Sequence, residues 1–189
     1  MIKMNSFALI LKDKDLNIAQ LNEFLLSIDS NCLISERKDF YQVSFDLNDL
    51  FLLKEAFESY LFDAESKIKV FIDSYESEID LYDKIDCISK YFNSNLKESI
   101  YDTKALIDEL IYPNLSDLKA LVLKEFANDY SMINLLKVYI ENNMNVLKSS
   151  KLLYIHRNTL LNKLERFKEV TGYDPKEFKD AYIIYSLIK

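Results

Sequence analysis

The 189-residue chain contains one glycine, two prolines and no tryptophan. Glycine and proline punctuate turns, so their scarcity predicts a largely helical protein with short connections. With Gly172 as the sole glycine, no glycine-rich loop exists to cradle a phosphate. A single histidine, His156, excludes a His-based metal pair, and no Ser-His-acid or Cys-His arrangement is readable. Cys32 and Cys87 stand apart without metal-ligand spacing and are expected as reduced thiols. The longest apolar runs are a few residues, and the first twelve residues lack a signal-peptide core, which predicts a cytoplasmic protein with no membrane partner. Carboxylates are abundant but scattered over helical surfaces. The expectation is therefore a non-enzyme with no catalytic residues, no cofactor and no metal.

Hydrophobic residues make up 49% and charged residues 29% of the chain, a globular composition sufficient for one compact domain or two small ones. The formal net charge of −7 argues against nucleic acid when taken as a whole. Its distribution reverses that argument. Between Met144 and Lys168 the basic residues are Lys148, Lys151, Arg157, Lys163, Arg166 and Lys168, opposed only by Glu165. The acidic surplus lies upstream, so the molecule is polarised and should approach a polyanion in one orientation.

The first 75 residues alternate between periods. An apolar run at 6–11 and paired β-rich runs at 32–35 and 40–45 read as strands, as does 67–73, whereas 17–28 and 48–61 carry helical spacing. The order β-α-β-β-α-β predicts a ferredoxin-like split βαβ sandwich, with both helices on one face of a four-stranded antiparallel sheet. From residue 76 onward the period stays helical, over 79–92, 96–112 (ended by Pro113), 115–130 and 131–142, with Ser131 as an expected N-cap. A last helix at 176–188 is expected to pack through Phe178, Tyr182, Tyr185 and Ile188 against the preceding helices or a second subunit. The predicted fold class is α+β. Its segments are a ferredoxin-like domain at 1–75, a helical connector at 76–130 and a second, helical domain at 131–189.

Two short helical patterns joined by a tight turn occupy the stretch from Asn145 to Gly172. In the first, Val146, Ser150 and Leu153 align at i, i+4 and i+7, and the small Ser150 permits close helix crossing. In the second, Leu160, Leu164, Phe167 and Thr171 share one face, leaving Thr159, Asn162, Lys163 and Arg166 on the other. Gly172 follows the last periodic residue, where a left-handed cap is least costly without a Cβ. This is a helix-turn-helix pattern, whose second helix enters the major groove with its N-terminal residues toward the bases. Arginine can bond guanine, asparagine adenine, and threonine thymine, so Arg157, Asn158 and Asn162 are the base-contact candidates, with Thr159 and His156 beside them. Lys148, Lys151, Lys163, Arg166 and Lys168 are expected phosphate partners. His156 or Asn158 can equally serve as the helix N-cap.

The segment Leu153-Tyr-Ile-His-Arg-Asn-Thr-Leu-Leu-Asn-Lys-Leu-Glu-Arg-Phe-Lys-Glu-Val-Thr-Gly172 resembles the C-terminal helix-turn-helix of PucR/CdaR-type bacterial transcription regulators, most specifically in its His-Arg-Asn-Thr-Leu core and Thr-Gly close. More loosely it is similar to that of the Fis family. The resemblance, from Met132 to the C-terminus, implies a sequence-specific DNA-binding module. This chain departs from the family in having Ser150 for the usual alanine and Asn162-Lys163 for a common aromatic-arginine pair. Such regulators often carry a degenerate GGDEF-like domain with a related βαββαβ core, which the N-terminal half resembles weakly. A working cyclase is excluded, because no Gly-Gly-Asp/Glu-Glu-Phe motif is present.

Two functions follow. The first is a transcription regulator that binds double-stranded DNA as a homodimer, since one recognition helix offers few base contacts. The second is a non-catalytic interaction protein that keeps the helix-turn-helix only as a packing scaffold. A small-molecule or protein effector at the N-terminal half is compatible with either.

Overall fold

In the computed structural model, residues 5–14, 16–63, 68–110 and 118–189 are described. The chain divides into two compact units, Met1–Ile111 and Tyr112–Lys189.

The first unit is built on a five-stranded sheet of order β2-β3-β1-β4-β5. Strand β1 (Asn5–Leu11) is central and pairs antiparallel with β3 (Phe40–Phe45), Ala8 opposite Val43, and with β4 (Val70–Tyr75), Ala8 opposite Ile72. β2 (Leu33–Glu36) is an edge strand paired antiparallel with β3. Helices α1 (Ile18–Ile28) and α2 (Leu50–Asp63) complete the expected βαββαβ core. Asn17 starts α1 by accepting the Ala19 and Gln20 N–H groups on its side-chain oxygen, satisfying two donors that a helix start leaves open.

Strand alternation sorts the core. Ala8, Ile10, Val43, Phe45, Val70 and Ile72 face Leu21 and Leu25 of α1 and Leu53, Phe57 and Leu61 of α2. Each of these buried side chains except the small Ala8 contributes roughly 1.5–3 kcal/mol relative to exposure. The alternate residues Phe7 and Phe71 have ring centroids 6.0 Å apart, and Phe71 meets Phe92 at the same distance. This second face is buried as well, which explains why β1 reads as a continuous apolar run. Helix α3 (Glu78–Ser89), capped by Ser77, contributes Leu81, Ile85 and Ile88 to the buried set.

The structure corrects the single helix expected at 96–112. Ile100–Tyr101 forms β5, parallel to Val70–Phe71 of β4, and α4 spans only Thr103–Glu109. Asp102 decides the break, because its carboxylate accepts the Ala105 N–H at 2.8 Å and fixes the helix start. Tyr101 is buried, accepts the Glu98 N–H and donates its hydroxyl to Glu109. Burial, reinforced by that carboxylate, pushes the hydroxyl pKa upward. Residues 64–67 and 111–117, which include parts of the expected strand at 67–73 and of the helices at 96–112 and 115–130, lie outside the described residues.

In the second unit, α5 (Lys119–Leu123) passes into a 3-10 turn at Lys124–Asn128. The described part of the helix expected at 115–130 is thus broken, with Lys124 at φ 49°. α6 (Tyr130–Glu141) begins one residue early: Asp129 rather than Ser131 is its N-cap, accepting the Met132 N–H at 3.0 Å. α7 (Val146–Leu152), α8 (Arg157–Thr171) and α9 (Phe178–Ile188) follow. Within the unit the expected stripe of α9 is only partly engaged: Ile188 is buried and Tyr185 half-buried, whereas Phe178 and Tyr182 are 76% and 54% exposed, and Ala181, Ile183, Ile184 and Leu187 are buried instead. Two stripes compete on this helix, and the wholly aliphatic one buries without stranding a hydroxyl.

Candidate nucleic-acid interface

Helices α6, α7 and α8 assemble the site. Asn145 caps α7 by accepting the Lys148 N–H at 3.0 Å. Ser149 and Ser150 are buried, and their small side chains let α7 approach its neighbours, as expected of Ser150. Ser149 is the more deeply buried of the two, and its hydroxyl has no hydrogen-bond partner among the described residues. The chain then turns through Leu153, Tyr154 and Ile155. The Ile155 N–H donates to the Ser150 carbonyl at 3.0 Å, closing the turn.

α8 has the two faces its spacing predicts. Leu160, Leu164, Phe167 and Thr171 are buried, and Phe167 packs on Phe126 with ring centroids 5.3 Å apart. Gly172 ends the helix at φ 80°, donating its N–H to the Lys168 carbonyl at 2.8 Å. His156 is the N-cap: its Nδ1 accepts the Asn158 N–H at 3.2 Å, so that nitrogen carries the lone pair. One of the two alternatives for capping is thereby selected. It leaves the Asn158 side chain uncommitted to that role.

Arg157, Asn158, Thr159 and Asn162 are exposed on the first turns of α8, with His156 exposed at its mouth and Lys163 half-buried beside them. Lys148 and Lys151 are exposed on α7. The structure therefore brings the candidate base-reading residues together at one end of α8. Two of the expected phosphate partners differ. Arg166 extends over Phe126 and pairs with Glu125 at 3.1 Å, and Lys168 pairs with Asp174 at 2.9 Å. Asp174 is more than an ion-pair partner, since its Oδ1 also accepts the Lys176 N–H and its own N–H donates to Asp180. Burial favours its neutral form, but Lys168 and the Lys176 N–H outweigh that and hold the carboxyl below the usual range.

Tyr154, between α7 and α8, is 96% exposed with φ 54°, in the left-handed region. The signal was present in the spacing. Four residues between two helices require a chain reversal, and no glycine is available there to make it.

Charge is divided as unevenly as the fold. Residues 1–111 carry 12 Lys and Arg against 22 Asp and Glu, whereas residues 112–189 carry 12 against 9. Among the described residues no group of His, Cys, Asp and Glu could hold a metal ion, and no helix is long and apolar enough to cross a membrane.

Residues 132–189 match the PucR C-terminal helix-turn-helix domain. Over 63 residues the chain is 38% identical to the carbohydrate diacid regulator of Escherichia coli (strain K12), covering 33% of this chain and 16% of that protein. Over 65 residues it is 37% identical to the purine catabolism regulatory protein of Bacillus subtilis (strain 168), covering 34% and 12%. A longer match, 28% identical over 120 residues, is to the Bacillus subtilis (strain 168) protein YxkF and covers 55% of this chain and 40% of that one. The chain thus spans less than half the length of these relatives. A regulator of polyketide synthase expression from Bifidobacterium adolescentis aligns with 97% of this chain and 78% of its own, at 15% identity and a TM-score of 0.45. The motif, the two-faced α8 and the family match agree: over residues 132–189 this chain carries the C-terminal helix-turn-helix of PucR/CdaR-type regulators.

Proposed function

We propose that the chain binds double-stranded DNA sequence-specifically through α8 and regulates transcription, acting in the cytoplasm as a homodimer. The observation that carries this reading is the cluster of Arg157, Asn158, Thr159 and Asn162, all exposed at the N-terminal end of a helix whose opposite face is buried. Arg157 and Asn158 each offer a pair of hydrogen-bonding atoms suited to guanine and adenine, and each such contact discriminates by about 1–3 kcal/mol. Lys148, Lys151 and Lys163 supply phosphate neutralisation on either side of the reading end. Dimerisation follows from the economy of the site, because one helix reads few bases and paired half-sites multiply the selectivity.

The test is fluorescence anisotropy of the full chain on duplexes taken from upstream of its own and neighbouring genes. Arg157→Ala and Asn158→Ala should each weaken specific binding while leaving the far-UV circular dichroism unchanged. Lys148, Lys151 and Lys163, joined by Arg166 and Lys168 once these exchange their carboxylate partners for phosphate, neutralise about five phosphates. Log affinity should then fall against log salt with a slope of about −4 to −5. Equal binding by wild type and both variants, or a complex insensitive to salt, would overturn the proposal and favour the packing-scaffold role.

A further inference from the structure

The first unit holds a cleft of about 960 Å³ where β1 ends and β4 begins. Four lysines line it, each from a different segment: Lys12 after β1, Lys38 in the β2–β3 hairpin, Lys69 ahead of β4 and Lys97 ahead of β5. Only two carboxylates, Asp13 and Asp39, line it with them. In a unit with nearly twice as many acidic as basic residues, this local surplus of cations runs against the composition. Chance placement in such a background would bring carboxylates to the opening more often than ammonium groups.

Two of the lysines are held in place. Lys69 Nζ donates to the carbonyls of Lys97 and Glu98 at 3.0 and 2.6 Å, and Lys12 Nζ donates to Glu36 at 2.7 Å. The hairpin lysine, Lys38, is exposed and has no ion-pair partner among the described residues. The cleft is also lined by Phe40 and Phe92, 9% and 4% exposed, which give it an apolar side. Ammonium groups on flexible stems recognise carboxylate and phosphate by charge and donated hydrogen bonds, without a fixed fork geometry. Several lysines lining one opening beside an apolar wall form a surface that suits a small charged organic molecule.

We propose that this cleft binds a small organic polyanion, bearing carboxylate or phosphate groups on a scaffold that rests against Phe40 and Phe92. The site lies within the first unit and uses no residue of α7 or α8, so it stands or falls independently of DNA binding.

Isothermal titration of the full chain at physiological ionic strength tests it, with citrate, inorganic pyrophosphate and ATP as probes and glucose as the uncharged control. At least one anion should bind saturably at one site per chain, and the arm that binds separates a carboxylate source from a phosphate source. Combining Lys38→Glu with Lys97→Glu should weaken that binding by about tenfold or more, while Lys54→Glu on α2, equal in kind but outside the cleft, should change it less than about twofold. Lys38→Gln, at an exposed hairpin position, provides a milder second variant, and circular dichroism verifies folding. The proposal is overturned if no probe saturates, if glucose binds equally, if the cleft variants bind as wild type does, or if Lys54→Glu loses as much as they do.

Discussion

Nδ1 of His156 accepts the backbone N–H of Asn158 at 3.2 Å, so the residue that caps α8 is tied directly to a residue proposed to read bases. The cap contributes to stability and sets the direction in which the first turn leaves the α7–α8 turn. His156→Ala should destabilise the fold by about 1 kcal/mol, as loss of an N-cap acceptor does. His156→Asn supplies an amide oxygen as acceptor in place of the ring nitrogen and should recover most of that loss in urea unfolding of the full chain. DNA affinity then separates the roles. If the imidazole also contacts DNA, His156→Asn binds weakly although its stability is recovered.

Tyr154 and Gly172 bracket α8 with the same backbone demand and opposite chemistry. Both have positive φ, at 54° and 80°, but only the glycine lacks the Cβ that makes this region costly. Nothing lies within 4 Å of a Cβ built on Gly172, so Gly172→Ala should cost about 1 kcal/mol through backbone strain alone. Tyr154→Gly should stabilise by about 0.5 kcal/mol, strain relief exceeding the added chain entropy of the unfolded state. Tyr154→Ala is the control. It keeps the strain and loses only an exposed side chain, so its urea midpoint should stay within error of wild type.

Much of this was readable beforehand, and the successes share a cause. Leu160, Leu164 and Phe167 recur at helical spacing with polar residues between them, and burial of one face follows from that geometry with little interference. The βαββαβ order was legible because its strands and helices differ in period. Failures arose where long-range partners decided local structure. Residues 100–101 carry no strand pattern of their own, and they extend because β4 offers an unpaired edge and because the Tyr101 hydroxyl finds Glu109. On α9 two apolar stripes were available, and only packing within the unit selected Ile184 and Leu187 over Phe178 and Tyr182. At the site, residue types were legible, whereas the engagement of Arg166 by Glu125, 41 positions away, was not.

That pairing sets a prediction for DNA affinity. Arg166 and Glu125 are both largely exposed, so their bridge adds about 0–1 kcal/mol of stability and salt weakens it. Glu125→Gln should leave the thermal midpoint nearly unchanged. If Arg166 neutralises a phosphate, the same variant should bind DNA more tightly and show a salt slope steeper by up to about 1. Arg166→Ala should make the slope shallower by the same amount. Unchanged slopes in both variants would assign Arg166 to the fold rather than to DNA.

The buried hydroxyl of Ser149 has no hydrogen-bond partner among the described residues. Desolvation of such a group costs about 1–3 kcal/mol without compensation. Ser149→Ala removes the oxygen while keeping the small volume that α7 requires, and should stabilise the chain by up to about 1 kcal/mol in urea unfolding. Ser149→Val tests the packing half of the argument, because a methyl in place of the hydroxyl and a second, added methyl at a fully buried crossing should destabilise by about 1–3 kcal/mol.

Asp174 gives the second unit an acid limit. Burial raises its carboxyl, but the Lys168 ammonium and the Lys176 N–H prevail and hold it below its ordinary value. The unfolded chain therefore binds more protons than the folded one at mildly acid pH, and stability rises with pH in that window. The contribution is fully present above the unfolded carboxyl pKa of about 3.9 and is lost as pH falls through the lower folded value. Asp174→Asn keeps an acceptor for the Lys176 N–H and removes the charge facing Lys168. Its unfolding free energy should be lower than wild type at neutral pH, and the gap should close as both are titrated below about pH 4. A gap that persists unchanged well below that pH, where both carboxyls are protonated, would mean that Asp174 acts through its hydrogen bonds alone, with the ion pair to Lys168 contributing nothing.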